Sequence, residues 1–151
     1  MLFQRINRSN PEKVFIVVYN SYSTASLTNG QAVNWDFITD CDGVGVTMPL
    51  ARATNGGVAA AGIVAETIAA GSYGLLQVYG YHSAVRCRSV TAGTPNIAKG
   101  RPLAMNAAGS VFCLESFATG SAVIQIAPCG FALAASAIWT TAAIAAFIKC
   151  L

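Results

Sequence analysis

Short apolar runs with a period of two dominate the chain and predict β-strands. The clearest run covers residues 31–38, where Val33, Trp35 and Phe37 alternate with Asn34 and Asp36. Successive side chains of a strand point to opposite faces, so this alternation predicts one buried face and one face in water.

Further apolar runs follow one another, with turns rich in Gly, Pro or Asn between them. We predict strands within residues 13–22, 43–50, 103–106, 111–117, 122–127, 131–135 and 143–150. Many short strands at this spacing are typical of a sandwich or barrel. The expected fold class is therefore all-β, a small sandwich- or barrel-like domain. No repeat of fixed period is visible in the sequence.

Residues 61–80 carry the strongest hairpin signal. Residues 69–72 join two apolar runs, and Gly71 can adopt the positive φ angle that a tight turn needs. The alanines of residues 58–70 favour a helix as the alternative. Gly62 and the short length of that segment favour strand and turn. The second run continues to Arg88, long enough to cross a sheet and bend at Gly80.

The composition indicates one domain whose surface is partly covered by a partner. Of the 151 residues, 54% are hydrophobic and only 10% are charged, which is apolar for a soluble monomer. We expect residues 13–151 to form a single β domain. Residues 1–12 are expected to form an N-terminal arm that docks onto a neighbouring chain, with a frayed terminus as the alternative.

Charge and cysteine content argue against nucleic-acid binding, a disulfide framework and a zinc site. The net charge of +3 arises from nine scattered basic residues, so nucleic acid is not an expected partner. The five cysteines have no C-x-x-C pair and no regular spacing, which indicates neither a disulfide framework nor a zinc site. We interpret them as small buried hydrophobes, with one or two disulfides as the alternative.

The tail of the chain raises the question of a membrane anchor. Residues 131–148 carry no charge and match the length of a transmembrane helix. Alanine predominates there and Ser136, Thr140 and Thr141 interrupt it, so two closing strands are the preferred interpretation. The apolar run 14–19 is too short for a signal sequence. We therefore expect neither an export signal nor a membrane partner.

Catalytic patterns are missing from the sequence. His82 is the only histidine, so any hydrolytic triad must include it, and a lone histidine in a strand is more often structural. Glu66 and Glu115 lie among apolar neighbours, but nothing brings them together. Residues 39–43 offer fewer oxygen ligands than a calcium loop needs. We expect a protein that is not an enzyme and binds no cofactor and no metal.

Two groups of residues are candidates for an interface. The arm contributes Leu2, Phe3, Arg5, Ile6 and Arg8, and the long strand contributes Arg86 and Arg88. The last two lie two apart and so project from one strand face. A solvated strand end is the preferred interpretation of this arginine pair, and contact with an acidic partner is the alternative.

The segment 67–80, TIAAGSYGLLQVYG, resembles one that recurs in head decoration, or cement, proteins of tailed bacteriophages. The sequence KGRPL at 99–103 and the closing order GFALA at 130–134 before FIK at 147–149 are similar too. The resemblance covers residues 58–151. It implies a small β domain of the β-tulip type with an N-terminal arm, which binds the outer capsid at junctions between major capsid subunits. Residues 14–38 and the cysteines match no part of this pattern.

The resemblance leads to a functional expectation. A protein that binds the assembled shell but not free subunits stabilises the shell by mass action. We therefore expect a virion structural protein on the capsid exterior, assembled in the host cytoplasm. Its expected partners are the major capsid protein and further copies of itself, with a trimer as one arrangement. The alternatives are a capsid or tail subunit, or a glycan- or host-surface-binding β-sandwich that uses Tyr19, Tyr22 or Tyr79.

Overall fold

The computed structural model describes residues 12–40, 43–49, 59–89, 97–105, 114–116, 128–136 and 141–150. These residues contain strands and turns and no helix. The strands are β1 (Lys13–Asn20), β2 (Ala32–Trp35), β3 (Gly45–Thr47), β4 (Ala60–Val64), β5 (Tyr73–Ser89), β6 (Pro102–Met105), β7 (Leu114–Ser116), β8 (Gly130–Ala132) and β9 (Ala142–Lys149). The all-β prediction is confirmed.

The nine strands form one sheet that closes on itself twice. Their order is β1-β3-β2-β4-β5-β7-β6-β8-β9, and β5 pairs additionally with β1 and with β9. We call β1-β3-β2-β4-β5 the first ring and β5-β7-β6-β8-β9 the second ring. Closure removes most of the free sheet edges that would otherwise invite aggregation.

Strand β5 belongs to both rings. It has 17 residues; its segment from Tyr73 to Gly80 pairs with β1, and its segment from Tyr79 to Cys87 pairs with β9. Gly80 lies where the segments meet and has a φ of 101°. A Cβ atom at this position would lie 1.9 Å from the carbonyl oxygen of Glu12, so β1 can enter beside β5 only because residue 80 is glycine.

The two rings have the same connectivity when the strands of each are counted in chain order, β1 to β5 and β5 to β9. In each ring the first strand pairs in parallel with the third and antiparallel with the fifth. The second strand pairs antiparallel with the third and fourth, and the fourth pairs antiparallel with the fifth. Strand β5 is the last strand of the first ring and the first strand of the second. The chain therefore contains an internal structural repeat.

The register of the two rings also agrees. Val64 faces Leu76 in the first ring, as Ala132 faces Ala146 in the second. An isolated bridge precedes the second strand of each ring, from Leu27 to Ile68 and from Ile97 to Ser136. Gly30 and Gly100 follow these bridges with φ angles of 82° and 79°. Such positions, matched through the pairing, are called equivalent below. The sequence alone did not reveal them, because few equivalent positions share a side chain.

Each ring encloses its own apolar core. The first-ring core consists of Val18, Leu27, Val33, Val46, Ala61, Val64, Ile68 and Leu76. The second-ring core includes Val85, Cys87, Ile97, Leu103, Met105, Leu114, Cys129, Ala132, Ile144, Ala146 and Ile148, and also Ala32 and Ile63 from strands of the first ring. Strands β2 and β4 thus bury both faces, one in each core.

This double burial corrects the prediction for residues 31–38. Asn34 and Asp36, expected in water, are buried, whereas Phe37, expected inside, is 44% exposed. Asn34 lies on the β2 face that it shares with Ala32, towards the second-ring core. The strand ends at Trp35, so Asp36 and Phe37 belong to the following turn and no longer alternate with it.

The other predicted strands within the described residues overlap strands of the structure. Strand and turn, not helix, are found within residues 58–70: β4 is followed by a turn in which Ser72 N–H donates to Ala69 O at 3.1 Å and Gly71 has a φ of 71°. The predicted strand at 122–127 lies outside the described residues. Strands β8 and β9 occupy parts of the tail 131–148. Across the described part of the chain, no helix has the length and apolarity to cross a membrane.

Candidate functional site

The outer face of the first ring carries an exposed apolar strip made of Phe15, Val17, Tyr73 and Leu75. Val17 lies opposite Leu75 in the antiparallel ladder between β1 and β5. The exposed fractions are 43% for Phe15, 63% for Val17, 68% for Tyr73 and 39% for Leu75. We call these four residues the apolar strip. Contiguous exposed apolar side chains of this size mark interaction sites more often than solvent-facing surface.

Aromatic rings continue the apolar strip at one end. The ring centroids of Tyr19 and Tyr73 lie 5.2 Å apart in a tilted arrangement, and the two residues face each other across the ladder. Aromatic pairs at this spacing attract each other beyond their buried area. Tyr73 is therefore held in place although most of its surface faces solvent.

A second aromatic group lies on the outer face of the second ring. Phe131 stacks on Phe147 with a centroid distance of 5.2 Å, and Tyr79 meets Phe147 edge-on at 5.1 Å. Phe131 and the following Leu133 are exposed. These rings bridge β8, β9 and β5, so they also stabilise the outer side of that sheet.

Side chains that differ between equivalent positions of the two rings are not needed to close a ring. The backbone bond from Ala65 N–H to Leu75 O, 3.0 Å, corresponds to the bond from Leu133 N–H to Ala145 O, 2.9 Å. Tyr73 is likewise equivalent to Ala143, through their pairings with Tyr19 and Arg86. The same ladder thus closes with alanine at both sites in the second ring. The large side chains of Tyr73 and Leu75 are therefore not required for ring closure.

The predicted interface residues are only partly within the described chain. Leu2, Phe3, Arg5, Ile6 and Arg8 lie outside the described residues. Arg86 and Arg88 lie on β5, and Arg86 donates a hydrogen bond from Nη2 to Thr28 Oγ1 at 3.0 Å. Arg86 therefore links β5 to the turn before β2. Its contact with a partner stays a prediction, as does that of Arg88.

His82 lies at the junction of the two rings. It is buried, its Nδ1 accepts a hydrogen bond from Ala84 N–H at 3.1 Å, and a second hydrogen bond joins it to the backbone of Val64. Burial, with the positive charge of Lys13, lowers the pKa of His82 in spite of the bond to Val64. The neutral ring thus connects β5 to β4. The hydrogen bonds give this histidine a structural role.

A polar cleft opens at the end of β1. It has a volume of about 350 Å³ and is lined by Tyr19, Asn20, Ser21, Ser23, Thr39, Asp40 and Gly71. Asn20 is fully engaged: its amide donates to Ile68 O at 3.1 Å and Ala25 O at 3.3 Å and accepts from Tyr22 N–H at 3.0 Å. The other polar groups that line the cleft are the hydroxyls of Tyr19 and the loop residues and the carboxylate of Asp40.

Asp36 fixes the turn beside this cleft. Burial raises its pKa, but hydrogen bonds from the Thr39 hydroxyl, Thr39 N–H and Ile38 N–H outweigh that effect, and the net pKa is lowered. The Thr39 N–H distance is 3.0 Å and the Ile38 N–H distance is 3.3 Å. The carboxylate thus acts as an acceptor for the turn. This role was missed because the pattern of residues 31–38 suggested a longer strand.

The described cysteines form no disulfide with one another. Cys87 and Cys129 are buried, and Cys150 lies 3.6 Å from the carbonyl oxygen of Cys129 through its sulfur. A hydrogen bond between the two thiols lowers the pKa of Cys129 and, with burial, raises that of Cys150. Cys41 and Cys113 lie outside the described residues. Nowhere in the described ranges do three His, Cys, Asp or Glu side chains gather closely enough to hold a metal ion.

No protein-family model and no curated protein sequence matches the chain. The site must therefore be interpreted from its own geometry. The feature that we interpret is the apolar strip, in which Tyr73 and Leu75 differ from the alanines at their equivalent positions.

Proposed function

We propose that the chain is a non-enzymatic structural protein of a phage virion, which decorates the outer surface of the capsid and stabilises contacts between major capsid subunits. The observation that carries the proposal is the exposed apolar strip of Phe15, Val17, Tyr73 and Leu75, in which Tyr73 and Leu75 have alanine at their equivalent positions in the second ring. A surface of this kind suits a permanent partner.

The fold supports this proposal in a second way. Two closed rings that share one strand form a rigid scaffold with few free edges, which suits a protein that must hold two neighbouring subunits at a fixed distance. Many identical copies on a shell add avidity to each contact. Binding to the assembled shell but not to free subunits would stabilise the shell by mass action.

The experiment compares assembled shells with unassembled capsid subunits as binding partners. Purified protein is added to shells of the phage that encodes it, prepared without this protein, and to free subunits. We expect co-sedimentation with the shells, no complex with free subunits, and a raised temperature of shell disruption. Mass spectrometry of purified virions should find the chain in many copies. Its presence in infected cells together with its absence from virions would overturn the proposal.

A second candidate function is supported by the polar cleft at the end of β1. Aromatic rings beside hydroxyls and a carboxylate are suited to sugars, and Tyr19 with Asp40 lines this cleft, next to the exposed ring of Tyr73. Of the tyrosines suggested by the sequence, Tyr22 and Tyr79 are half-buried. The exposed Tyr73 beside Tyr19 is therefore the better candidate for contact with a sugar. Glycan-array binding by the intact chain, lost in Tyr73→Ala, would favour this function. A silent array with tight shell binding would remove it.

A further inference from the structure

The open backbone edge of β1 is the feature from which a further interaction can be argued. Alternate backbone groups of a strand point to its two edges. Asn20 N–H donates to Ser72 O at 2.9 Å on the β5 side, whereas Tyr19 N–H donates to Val44 O at 2.9 Å on the β3 side. The N–H and C=O groups of Phe15 and Val17 therefore point to the β3 side as well.

Strand β3 leaves that edge uncovered over most of its length. It pairs with β1 only at Tyr19 and Asn20. Within the described ranges of the chain, no strand pairs with Lys13–Val18 on that side. The edge is therefore an exception to the closure of the sheet. An edge with exposed apolar side chains is a template for another strand.

The internal repeat gives a precedent for a strand at the start of this edge. The strand equivalent to β1 is β5, and β1 lies antiparallel along the β5 edge that continues to β7, from Tyr73 to Gly80. Because His82 is equivalent to Ile16, Gly80 is equivalent to Val14, so the precedent covers Lys13 and Val14. In the described chain, the equivalents of Phe15 and Ile16, which are Tyr81 and His82, pair with β9 alone.

We propose that a second copy of this chain fills the open edge, with the two β1 strands antiparallel about a two-fold axis near Phe15. A strand edge is self-complementary in this arrangement, which gives the closed dimer that symmetry favours. Centring on Phe15 places Lys13 opposite Val17 of the other copy, so the outward backbone groups meet. No like charges face each other, and the pairing stops before Tyr19, where β3 begins.

This arrangement also accounts for the exposed side chains beside the edge. Phe15 would meet its counterpart on the same outer face, Val17 would lie opposite the Lys13 side chain of the other copy, and the strips of both copies would join into one surface around the two Phe15 rings. The strand from Val14 to Val18 carries no charge, so nothing along it repels its own copy. Charged edge residues are the usual protection against such pairing.

The test is the mass of the intact chain in solution, measured by light scattering after size exclusion. We expect twice the 15.6 kDa of one chain. Val17→Pro removes only the N–H that points to the open edge, which proline tolerates at sheet edges, and should give one chain. Val17→Thr keeps that N–H and should stay dimeric. A wild-type mass of one or three chains, or a dimer of Val17→Pro, would overturn the proposal.

A second pair of variants covers the case in which the proline variant does not fold. Phe15→Lys places two like charges face to face at the axis and should give a folded monomer by circular dichroism. Phe37→Lys is the matched control: Phe37 is 44% exposed against 43% for Phe15, but lies in the turn after β2. It should remain dimeric. Equal masses for these two variants would contradict the proposed edge. The measurement needs no capsid, so its failure is distinct from failure of the proposed function.

Discussion

The two rings of this molecule close in the same way but present different surfaces. The bridges Leu27–Ile68 and Ile97–Ser136 and the positive φ angles of Gly30 and Gly100 recur in both. On the outer ladder, Leu75 of the first ring is replaced by Ala145 in the second. Closure therefore depends on backbone pairing and a few turn residues. The outer side chains of the first ring are free to serve another role.

The rings also differ in how their first strands are embedded. Strand β5 has neighbours on both edges, whereas β1 is paired on the β3 side only from Tyr19. His82 of β5 is equivalent to Ile16 of β1 through the pairs His82–Ala146 and Ile16–Leu76. A buried polar group thus occurs where the rings meet, and an apolar residue where β1 is open. Among the described strands, β1 of the first ring therefore has an edge that is unpaired over most of its length.

The largest expected effect comes from the turn glycines of the two rings. A Cβ at Gly30 would lie 2.1 Å from Ala84 O, whereas nothing lies within 4 Å of a Cβ at Gly100. Both replacements by alanine carry the cost of a positive φ, about 1 to 2 kcal/mol. Gly30→Ala should lose more than about 3 kcal/mol, because strain and backbone clash act together. Urea unfolding of both variants measures the difference, and equal losses would refute this role of Gly30.

A smaller effect is expected at the buried amide of Asn20. Its equivalent in the second ring is Cys87, which pairs with Leu114 as Asn20 pairs with Val46. Asn20→Ala removes the amide donor to Ala25 O, removes one of the two donors to Ile68 O, which keeps Leu27 N–H, and leaves Tyr22 N–H without the Asn20 acceptor. The change should cost about 2 kcal/mol. Cys87→Ala removes one sulfur from the core and should cost about 1 kcal/mol. Chemical denaturation compares the two, and a greater loss for Cys87→Ala would contradict this account.

The histidine at the junction should make stability depend on pH. Its folded-state pKa lies below the ordinary value of 6.5, so the unfolded chain binds the proton more readily. The corresponding stability is complete above the unfolded pKa and is lost as pH falls towards the folded pKa. The melting temperature should therefore fall on acidification from about pH 7 to about pH 5. His82→Gln should flatten this slope, and an unchanged slope would assign it to other groups.

The smallest effect on the fold is expected from removing residues 1–11. The described domain starts at Glu12 and Lys13, whose contacts with Gly80 are kept in the shortened chain. The melting temperature should change little, whereas shell binding should weaken, since the arm is proposed to reach a neighbouring chain. Thermal unfolding and co-sedimentation of the same sample measure both. Unchanged shell binding would remove the arm from the interface.

Much of the strand content could be predicted from sequence, but its arrangement could not. The β-branched run in β1 and the Gly71 turn predicted their local structures. Double closure through β5 depends on pairings between residues distant in sequence, such as Tyr79 with both Val14 and Lys149. Burial of Asn34 follows from that closure, and no local pattern encodes it.

The candidate surface was only partly predictable for the same reason. The sequence directed attention to Arg86, which the structure ties to Thr28. The apolar strip was overlooked because an apolar strand residue is ordinarily assigned to the core, and exposure depends on which ring face it occupies. The available signal was the spacing of Tyr73 and Leu75, which has the same period of two as the outward-facing residues of β1.

The most direct test compares shell binding by Leu75→Lys and Ala145→Lys. These positions are equivalent in the two rings, and each change adds the same charged side chain to an outer ladder. The account predicts that Leu75→Lys abolishes co-sedimentation with assembled shells, whereas Ala145→Lys binds like the unmodified chain. Equal binding of the two folded variants, or loss confined to Ala145→Lys, would contradict the claim that the first ring carries the interaction surface.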